Sequence, residues 1–368
     1  MNTKKYIIVL FILALSAISC HKKPEKVFEG ELHQINTTEK KDTINGIEVY
    51  IDDIYTGYMS AYDSMLFFLS YKYPDYFIYA FDKNTGKKIG SFCKSGNGPD
   101  EFTSLFTFVE QYIRAGDEVK VWVYDAVKKI ALLNITKSIK EKTSVFDDQL
   151  SFSWFENHIR PWSVLFMLNN GILIAKNQLE NKYVNGANYF PITYSIYDIS
   201  ENEKIREIPI YNINNFVKNN KEESIPEMYF ISQDRIKPDG KKIVSAMEMF
   251  SQINILDITT GKLTGYSRKN TPNINERVLV NKIYYIDLCV DDDYILALYS
   301  NVELDEFGTN YPFYTNEVHV YDWNGNFKQT IILDRKYNQI AIDLQTKLLY
   351  AKRNDEDTLF SYDISHIY

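Results

Sequence analysis

The amino-acid sequence predicts an all-β fold, a six-bladed β-propeller of mostly four-stranded antiparallel blades that is closed by an N-terminal strand. The main observation is a short apolar run that ends in an aspartate and a polar turn. Its six copies are Phe77–Asp82, Val121–Asp125, Tyr194–Asp198, Ile253–Asp257, Val318–Asp322 and Leu359–Asp363. Their aspartates are 41 to 73 residues apart, which is typical of stacked supersecondary units such as propeller blades. The 29 Tyr and 22 Phe also favour strands, because aromatic side chains pack well on pleated surfaces.

The N-terminus predicts export and lipidation. Lys4 and Lys5 precede an apolar stretch over residues 6–18, and Cys20 follows directly after Ser19. A basic start, a short apolar core and small residues describe a secretory signal, and the stretch is shorter than the roughly 20 residues of a spanning helix. Residues 17–20 resemble a bacterial lipobox. We therefore expect residues 1–19 to be a signal peptide and Cys20 to be acylated; a plain signal peptide with an incidental cysteine is the alternative.

The residues after Cys20 bear on the location of the protein. His21 stands where an inner-membrane retention signal has Asp, so the outer membrane is the expected destination. The segment also lacks the acidic run that is linked with surface display. The protein is therefore expected to be a cell-envelope lipoprotein of the outer membrane that faces the periplasm, with the lipid as its membrane attachment.

The mature chain divides into a tether and a propeller. Residues 20–43 are polar and charged, which favours a lipidated tether, and residues 44–368 are assigned to the propeller. Turn signals such as Asp82–Gly86 separate the strands, because Asp and Asn bond their own backbone there and Gly accepts positive φ. Longer gaps imply insertions at about residues 138–162 and 211–234.

The sixth blade is incomplete at the C-terminal end. Strands over 340–343, 348–352 and 359–362 leave it without an outer strand. An N-terminal strand, either near 27–35 or near 47–51, is expected to complete it and so to remove an exposed sheet edge.

Charge and cysteine content narrow the function classes. Removing the two lysines of the signal peptide takes the formal net charge from −8 to −10. Such an acidic chain without a basic stripe is not expected to bind nucleic acid.

Cys93 and Cys289 lie in different predicted blades, and two buried free thiols are expected, with a disulfide as the alternative.

Two segments carry a family resemblance. The stretch 238–262, with Pro238–Gly240 before a strand and Thr260–Lys262 after the next, resembles the repeat of TolB-like propellers. Gly96–Phe102 resembles the blade connector of NHL-type propellers, and in particular the GxGPxEF segment of TolB-like six-bladed propeller lipoproteins of Bacteroidota. Asp100 stands where such connectors commonly have Gly. The resemblance implies a six-bladed fold and an outer-membrane location, and it implies little about activity.

Three places are candidates for ligand binding. The connector 94–102 contributes Lys94, Asn97, Asp100 and Glu101, and a Gly-rich loop can present backbone N–H groups to an anion or a sugar hydroxyl. The alternative is that its glycines permit the chain reversal while Phe102 wedges between blades. The first insertion contributes His158, Arg160 and Trp162, which together suit an acidic or sugar ligand, and the second contributes Arg235.

Signatures of catalysis and of cofactors are not found in the sequence. GxSxG, HExxH and CxxC motifs do not occur, and no metal or cofactor is expected. Asp291–Asp293 lacks the alternating spacing of a calcium loop, so a solvated turn is expected there. Asp42-Thr43-Ile44 resembles the acceptor of Bacteroidota O-glycosylation, which makes Thr43 a candidate site.

These observations favour a non-catalytic module that binds a small ligand or an envelope protein, with its molecular function otherwise open. The alternative is an enzyme that acts on a carbohydrate or related polar ligand, which would need two carboxyl groups facing each other across the channel mouth.

Overall fold

The predicted six-bladed propeller is confirmed. The computed structural model describes residues 24–37, 40–53, 57–70, 75–125, 129–151, 164–168, 171–177, 191–220, 227–276, 282–304 and 313–368. Six antiparallel sheets follow one another along the chain, and the first strand of each lies next to the central channel. Alternating apolar residues bury both faces of each sheet against its neighbours, and this stacking forms the core.

The first three blades follow one another in chain order. Blade one contains β4 (Tyr58–Tyr62), β5 (Met65–Leu69), β6 (Tyr76–Asp82) and β7 (Lys88–Lys94). Blade two contains β8 (Phe106–Ala115), β9 (Glu118–Asp125), β10 (Lys129–Asn134) and β11 (Phe146–Ser151), with helix α1 (Ile135–Glu141) before its outer strand. Blade three contains β12 (Val164–Met167), β13 (Ile172–Lys176), β14 (Ile192–Asp198) and β15 (Glu203–Tyr211).

The other three blades complete the ring. Helix α2 (Ile213–Asn220) and a 3₁₀ turn (Glu227–Phe230) lead to blade four, with β16 (Ser232–Ile236), β17 (Lys242–Met247), β18 (Gln252–Asp257) and β19 (Leu263–Arg268). Blade five contains β20 (Lys282–Val290), β21 (Tyr294–Glu303), β22 (Thr315–Asp322) and β23 (Phe327–Tyr337). Blade six contains β24 (Gln339–Asp343), β25 (Leu348–Lys352) and β26 (Leu359–Asp363), before a last 3₁₀ turn (Ser365–Ile367).

The N-terminal segment completes blade six and also wraps the outside of the ring. Ile47–Val49 forms β3, which pairs antiparallel with β26 and supplies the missing outer strand. Glu31–Ile35 forms β1 and Lys41–Ile44 forms β2, and these add a parallel fifth strand to blades four and five. The predicted closure is therefore confirmed, with the strand near 47–51. We call residues 24–49 the belt.

The belt corrects the expectation of a tether over residues 20–43. From residue 24 onward, the described part of this segment lies on the propeller. The expectation was wrong there because an edge strand with one face in solvent carries many polar residues, so that its composition resembles a linker. Residues 20–23 lie outside the described part of the chain.

Of the six apolar runs that end in aspartate, five lie on the third strand of a blade. The sixth, Val121–Asp125, lies on the second strand, β9. The aspartates of those five accept hydrogen bonds from backbone N–H groups of the next turn, namely Asp82, Asp198, Asp257, Asp322 and Asp363. Asp125 instead accepts bonds from Thr103 and Ser104. In blade two the turn is capped by Asn134, whose Oδ1 accepts from the N–H of Lys137 at 3.0 Å. This shift of strand explains the irregular spacing of the copies.

Two further expectations concern single residues. Cys93 and Cys289 are buried free thiols, and burial raises the pKa of Cys93 well above its ordinary value. Asp291 does form a turn, since its Oδ1 accepts from the N–H of Tyr294 at 2.7 Å. That turn is not solvated at Asp291, which is 1% exposed and pairs with Lys347 at 3.0 Å and with the hydroxyl of Tyr368.

The two ends of the propeller differ in what they carry. The hairpin turns between first and second strands, and between third and fourth strands, lie at one end, which we call the turn face. The links from the outer strand of one blade to the inner strand of the next lie at the opposite end, which we call the connector face. Within the described residues, no helix is long and apolar enough to cross a membrane.

Candidate functional site

The central channel opens at the turn face into a cavity of about 580 Å³. The ends of the inner strands and the turns after them line this opening, and all six blades contribute. We call it the turn-face mouth. A cavity of this size lies within the range of small-molecule sites, roughly 300–1,000 Å³.

Aromatic side chains form one wall of the mouth. The rings of Tyr62 and Tyr112 stack with centroids 5.0 Å apart and an angle of 22° between their planes. Phe67 lies on the same ring of Tyr112 at 4.9 Å, and the hydroxyl of Tyr112 is 2.5 Å from Oγ of Ser60. This wall is rigid because stacking and a hydrogen bond hold the Tyr112 ring between blades one and two.

An amide side chain joins blade two to blade three at the mouth. Nε2 of Gln111 donates to the carbonyl of Met167 at 3.0 Å, and the N–H of Met167 donates to Oε1 of Gln111 at 2.9 Å. The side chain therefore acts like a strand partner and holds the two inner strands together where they end.

Each cationic side chain that lines the mouth has a carboxylate partner, which for Arg114 is Asp63, a residue outside the lining. Arg114 donates to Oδ2 of Asp63 at 2.7 Å, and Lys237 donates to Oδ2 of Asp239 at 2.8 Å. Burial alone would raise the pKa of Asp63, but hydrogen bonds from Arg114 and Gln345 hold that pKa below its ordinary value. The mouth therefore presents balanced charge.

The lining also bears on catalysis. Asp239 is the one carboxylate among the described residues that line the mouth. Glycoside chemistry needs two carboxyl groups across the cavity. The described lining does not contain that arrangement.

Deeper in the channel, ionisable side chains are buried and bonded. Arg235, a predicted candidate, is 5% exposed and donates to Oδ1 of Asp287 at 3.2 Å. Burial raises the pKa of Asp287 against the opposing effect of Arg235. Between blades three and four, Lys176 and Asp234 form a second buried pair, with Nζ to Oδ1 at 2.9 Å. A buried charge is stable only beside an opposite charge, because the protein interior has a low dielectric constant. Arg235 is therefore a buried, paired residue of the channel wall and is not exposed to the channel as a free cation.

Lys352, at the end of the second strand of blade six, has a displaced pKa. Its side chain is buried, and burial lowers its pKa to about 8. Nζ donates to Oδ1 of Asn354 at 3.0 Å, which is a neutral partner.

In the Gly-rich connector, the Glu101 carboxylate accepts hydrogen bonds from other groups of the same loop. Nζ of Lys94 donates to Oε1 of Glu101 at 2.8 Å, and the N–H of Gly98 donates to the other oxygen at 2.8 Å. Gly96 has φ +153°, and a Cβ there would lie 2.0 Å from Oε2 of Glu101. Phe102 is fully buried. This geometry is that of a chain reversal with an aromatic wedge between blades.

The other predicted residues have different surroundings. Asn97 and Asp100 are exposed on the connector, and Thr43 is exposed on β2. His158, Arg160, Trp162 and Cys20 lie outside the described residues. Ligand binding at the predicted positions stays a prediction.

The turn-face mouth was not predicted from the sequence. Tyr112, Gln111 and Arg114 lie on an ordinary-looking strand, and their partners Asp63 and Met167 are about fifty residues away in the chain. The packing of neighbouring blades brings them together.

Comparisons with known proteins agree with the fold. No family model matches the chain, and no curated protein does. A solved structure of a DUF4221 family member from Bacteroides vulgatus is similar, with a TM-score of 0.56, 11% identity, and coverage of 93% of this chain and 98% of that one. A Bacteroides fragilis protein that has been assigned provisionally as exported is also similar, with a TM-score of 0.50, 10% identity, and coverage of 88% and 99%. At such low identity these likenesses show the propeller fold alone.

Proposed function

We propose that this protein is a lipid-anchored cell-envelope module that binds a small polar ligand in the turn-face mouth and does no chemistry on it. The mouth carries this proposal, because it combines ligand-sized volume with a stacked aromatic wall and hydrogen-bonding groups. The provisional export assigned to the Bacteroides fragilis neighbour, and the lipobox-like residues before Cys20, support the envelope location.

The chemistry of the mouth favours a neutral ligand. Its charges are balanced within ion pairs, so a charged ligand would have to break a pair to gain one. The half-buried rings of Tyr62 and Tyr112 give the lining apolar surface, while Gln111 and Arg114 are polar side chains of the same lining. A compact polyhydroxylated molecule such as a sugar has both kinds of surface.

Thermal shift of residues 21–368 against neutral sugars, peptides and metabolites tests this. A ligand at about 100 times its dissociation constant adds about 2.7 kcal/mol to the free energy of unfolding. For a chain of this length that corresponds to a shift of roughly 4 °C, since unfolding entropy is about 2.1 cal/mol/K per residue.

A matched pair of variants locates the site. Leu344 lines the mouth, so Leu344→Trp fills it and is expected to abolish the shift. Ile205, 55% exposed on β15, is outside the mouth, so Ile205→Trp is expected to keep the shift. Equal shifts in both variants would contradict binding in the mouth.

Lipidation and the side of the membrane are tested separately. Intact mass of the mature protein from membranes is expected to carry acyl groups on Cys20, and Cys20→Ala is expected to release the protein from membranes. Protection from protease in intact cells would support a periplasmic location, whereas cleavage in intact cells would contradict it.

A further inference from the structure

The charge of the turn-face mouth depends on a residue that does not line it. Among the described lining residues, Arg114 and Lys237 are cationic and Asp239 is anionic. Asp239 pairs with Lys237, with Nζ to Oδ2 at 2.8 Å. The carboxylate that pairs with Arg114 at 2.7 Å belongs to Asp63, which lies outside the lining. Without Asp63, the described lining would therefore carry one cation in excess.

The backbone holds Asp63 in place. This residue lies in the two-residue turn between β4 and β5, and its φ of +57° is in the left-handed region. Asp and Asn adopt that conformation more readily than most other residues with a side chain. Nζ of Lys83, which belongs to the same blade, donates to the carbonyl oxygen of Asp63 at 2.5 Å. The turn therefore fixes where the carboxylate can be presented.

Blade six supports the same carboxylate. Nε2 of Gln345 donates to Oδ1 of Asp63 at 3.2 Å, while Arg114 of blade two donates to Oδ2. Lys83 adds a second link to blade six, since its Nζ pairs with Oδ2 of Asp343 at 2.5 Å and both side chains are largely buried. The two oxygens of Asp63 are therefore bonded to blades six and two, which flank blade one.

The pair decides what Arg114 can offer to a ligand. Its side chain is 48% exposed, so a molecule in the mouth can reach the guanidinium beside Asp63. An anion would have to compete with Asp63 for that group, and the repulsion between two negative charges opposes its approach. A neutral hydroxyl can accept from another N–H without displacing Asp63, because a guanidinium has several donors.

We infer that Asp63 is the residue that makes the turn-face mouth select neutral over anionic ligands. It acts through Arg114, whose charge it neutralises while it leaves N–H donors for a hydroxyl group. This inference rests on the proposed function of the mouth and names the residue that sets the charge of its ligand. The specificity is therefore set by a carboxylate behind the lining.

Two dyes that differ in one sulfonate group test this selection. Anilinonaphthalene sulfonate is an anion, phenylnaphthylamine is its uncharged counterpart, and both have flat rings that suit the wall of Tyr62 and Tyr112. Their dissociation constants are measured by fluorescence titration of residues 21–368 at one ionic strength. In Asp63→Asn, the affinity for the anionic dye relative to the neutral dye is expected to rise about tenfold, because the freed guanidinium gains a charge-assisted hydrogen bond.

Two control variants separate charge from structure. Asp198→Asn removes the same charge from the outer hairpin turn of blade three, and it is expected to leave the ratio of the two affinities unchanged. Asp63→Asn combined with Arg114→Gln is expected to return the ratio to that of the parent. A general loosening of the fold would strengthen the binding of both dyes alike, so it would not change the ratio.

An unchanged ratio in Asp63→Asn would overturn the inference, and so would a rise that persists when Arg114→Gln is added. Leu344→Trp fills the mouth and is expected to abolish the binding of both dyes. Failure of both dyes to bind the parent and Asp63→Asn, or binding that survives Leu344→Trp, would instead count against the mouth as a binding site and hence against the proposed function itself.

Discussion

Phe28→Ala tests the finding that the N-terminal segment belongs to the propeller. Phe28 is fully buried between blades three and four, and its ring lies 6.0 Å from that of Tyr211. Truncating a buried Phe to Ala costs about 3–5 kcal/mol, as lost burial and a cavity. Over the roughly 340 residues of the folded body, an unfolding entropy of about 2.1 cal/mol/K per residue converts this into a drop in Tm of roughly 4–7 °C.

Calorimetry of the mature chain measures that drop, and limited proteolysis reports whether the belt detaches before the ring unfolds. Tyr50→Ala is the matched control, since Tyr50 is 71% exposed and its truncation is expected to change Tm by less than about 1 °C. A Phe28→Ala variant with the Tm and protease resistance of the parent would refute the argument, because it would mean that residues 24–35 do not pack on the propeller in solution.

Three further predictions concern single side chains. Burial lowers the pKa of Lys352 to about 8, so this side chain binds fewer protons in the folded than in the unfolded state between about pH 8 and 10.5, and its contribution to stability should rise with pH across that window. In urea denaturation the stability of the parent relative to Lys352→Met should therefore rise across the window, and the same slope in both would contradict it. Asp125→Ala should lower the free energy of unfolding by about 1–3 kcal/mol, because the buried Asp125 carboxylate accepts from the N–H groups of Thr103 and Ser104 in the connector, and it should cost more than Asp198→Ala, which removes an exposed turn cap; equal losses in urea denaturation would refute the distinction. Thr43→Ala should remove a glycan mass from protein purified from its native cells, and an unshifted parent mass would refute O-glycosylation there.

Local patterns in the sequence were sufficient to predict the repeated strand–turn–strand units of the blades. Asp82 and Asp257 cap the turns that their neighbours predict, because an aspartate bonds to N–H groups two or three residues ahead whatever the rest of the chain does. The same pattern does not tell strands apart, since Val121–Asp125 lies on a second strand and the other copies on third strands, which are equally apolar. Strand identity within a blade depends on what pairs with it.

The belt and the mouth could not be predicted in the same way. The polar composition of residues 24–44 is compatible with a linker and with an edge strand, and pairing with β19 and β23 decides between the two. The pairing of Arg114 with Asp63 depends on the packing of blade two beside blade one.

The sequence by itself determined the all-β class, the number of blades, the capped turns and the need for an N-terminal strand, since these depend on alternation and on hydrogen bonds between near neighbours. The tertiary structure alone decided where the belt lies and which residues surround the mouth. The physical reason is that ring closure brings together side chains that are far apart in the chain, and no local pattern records which of them will meet.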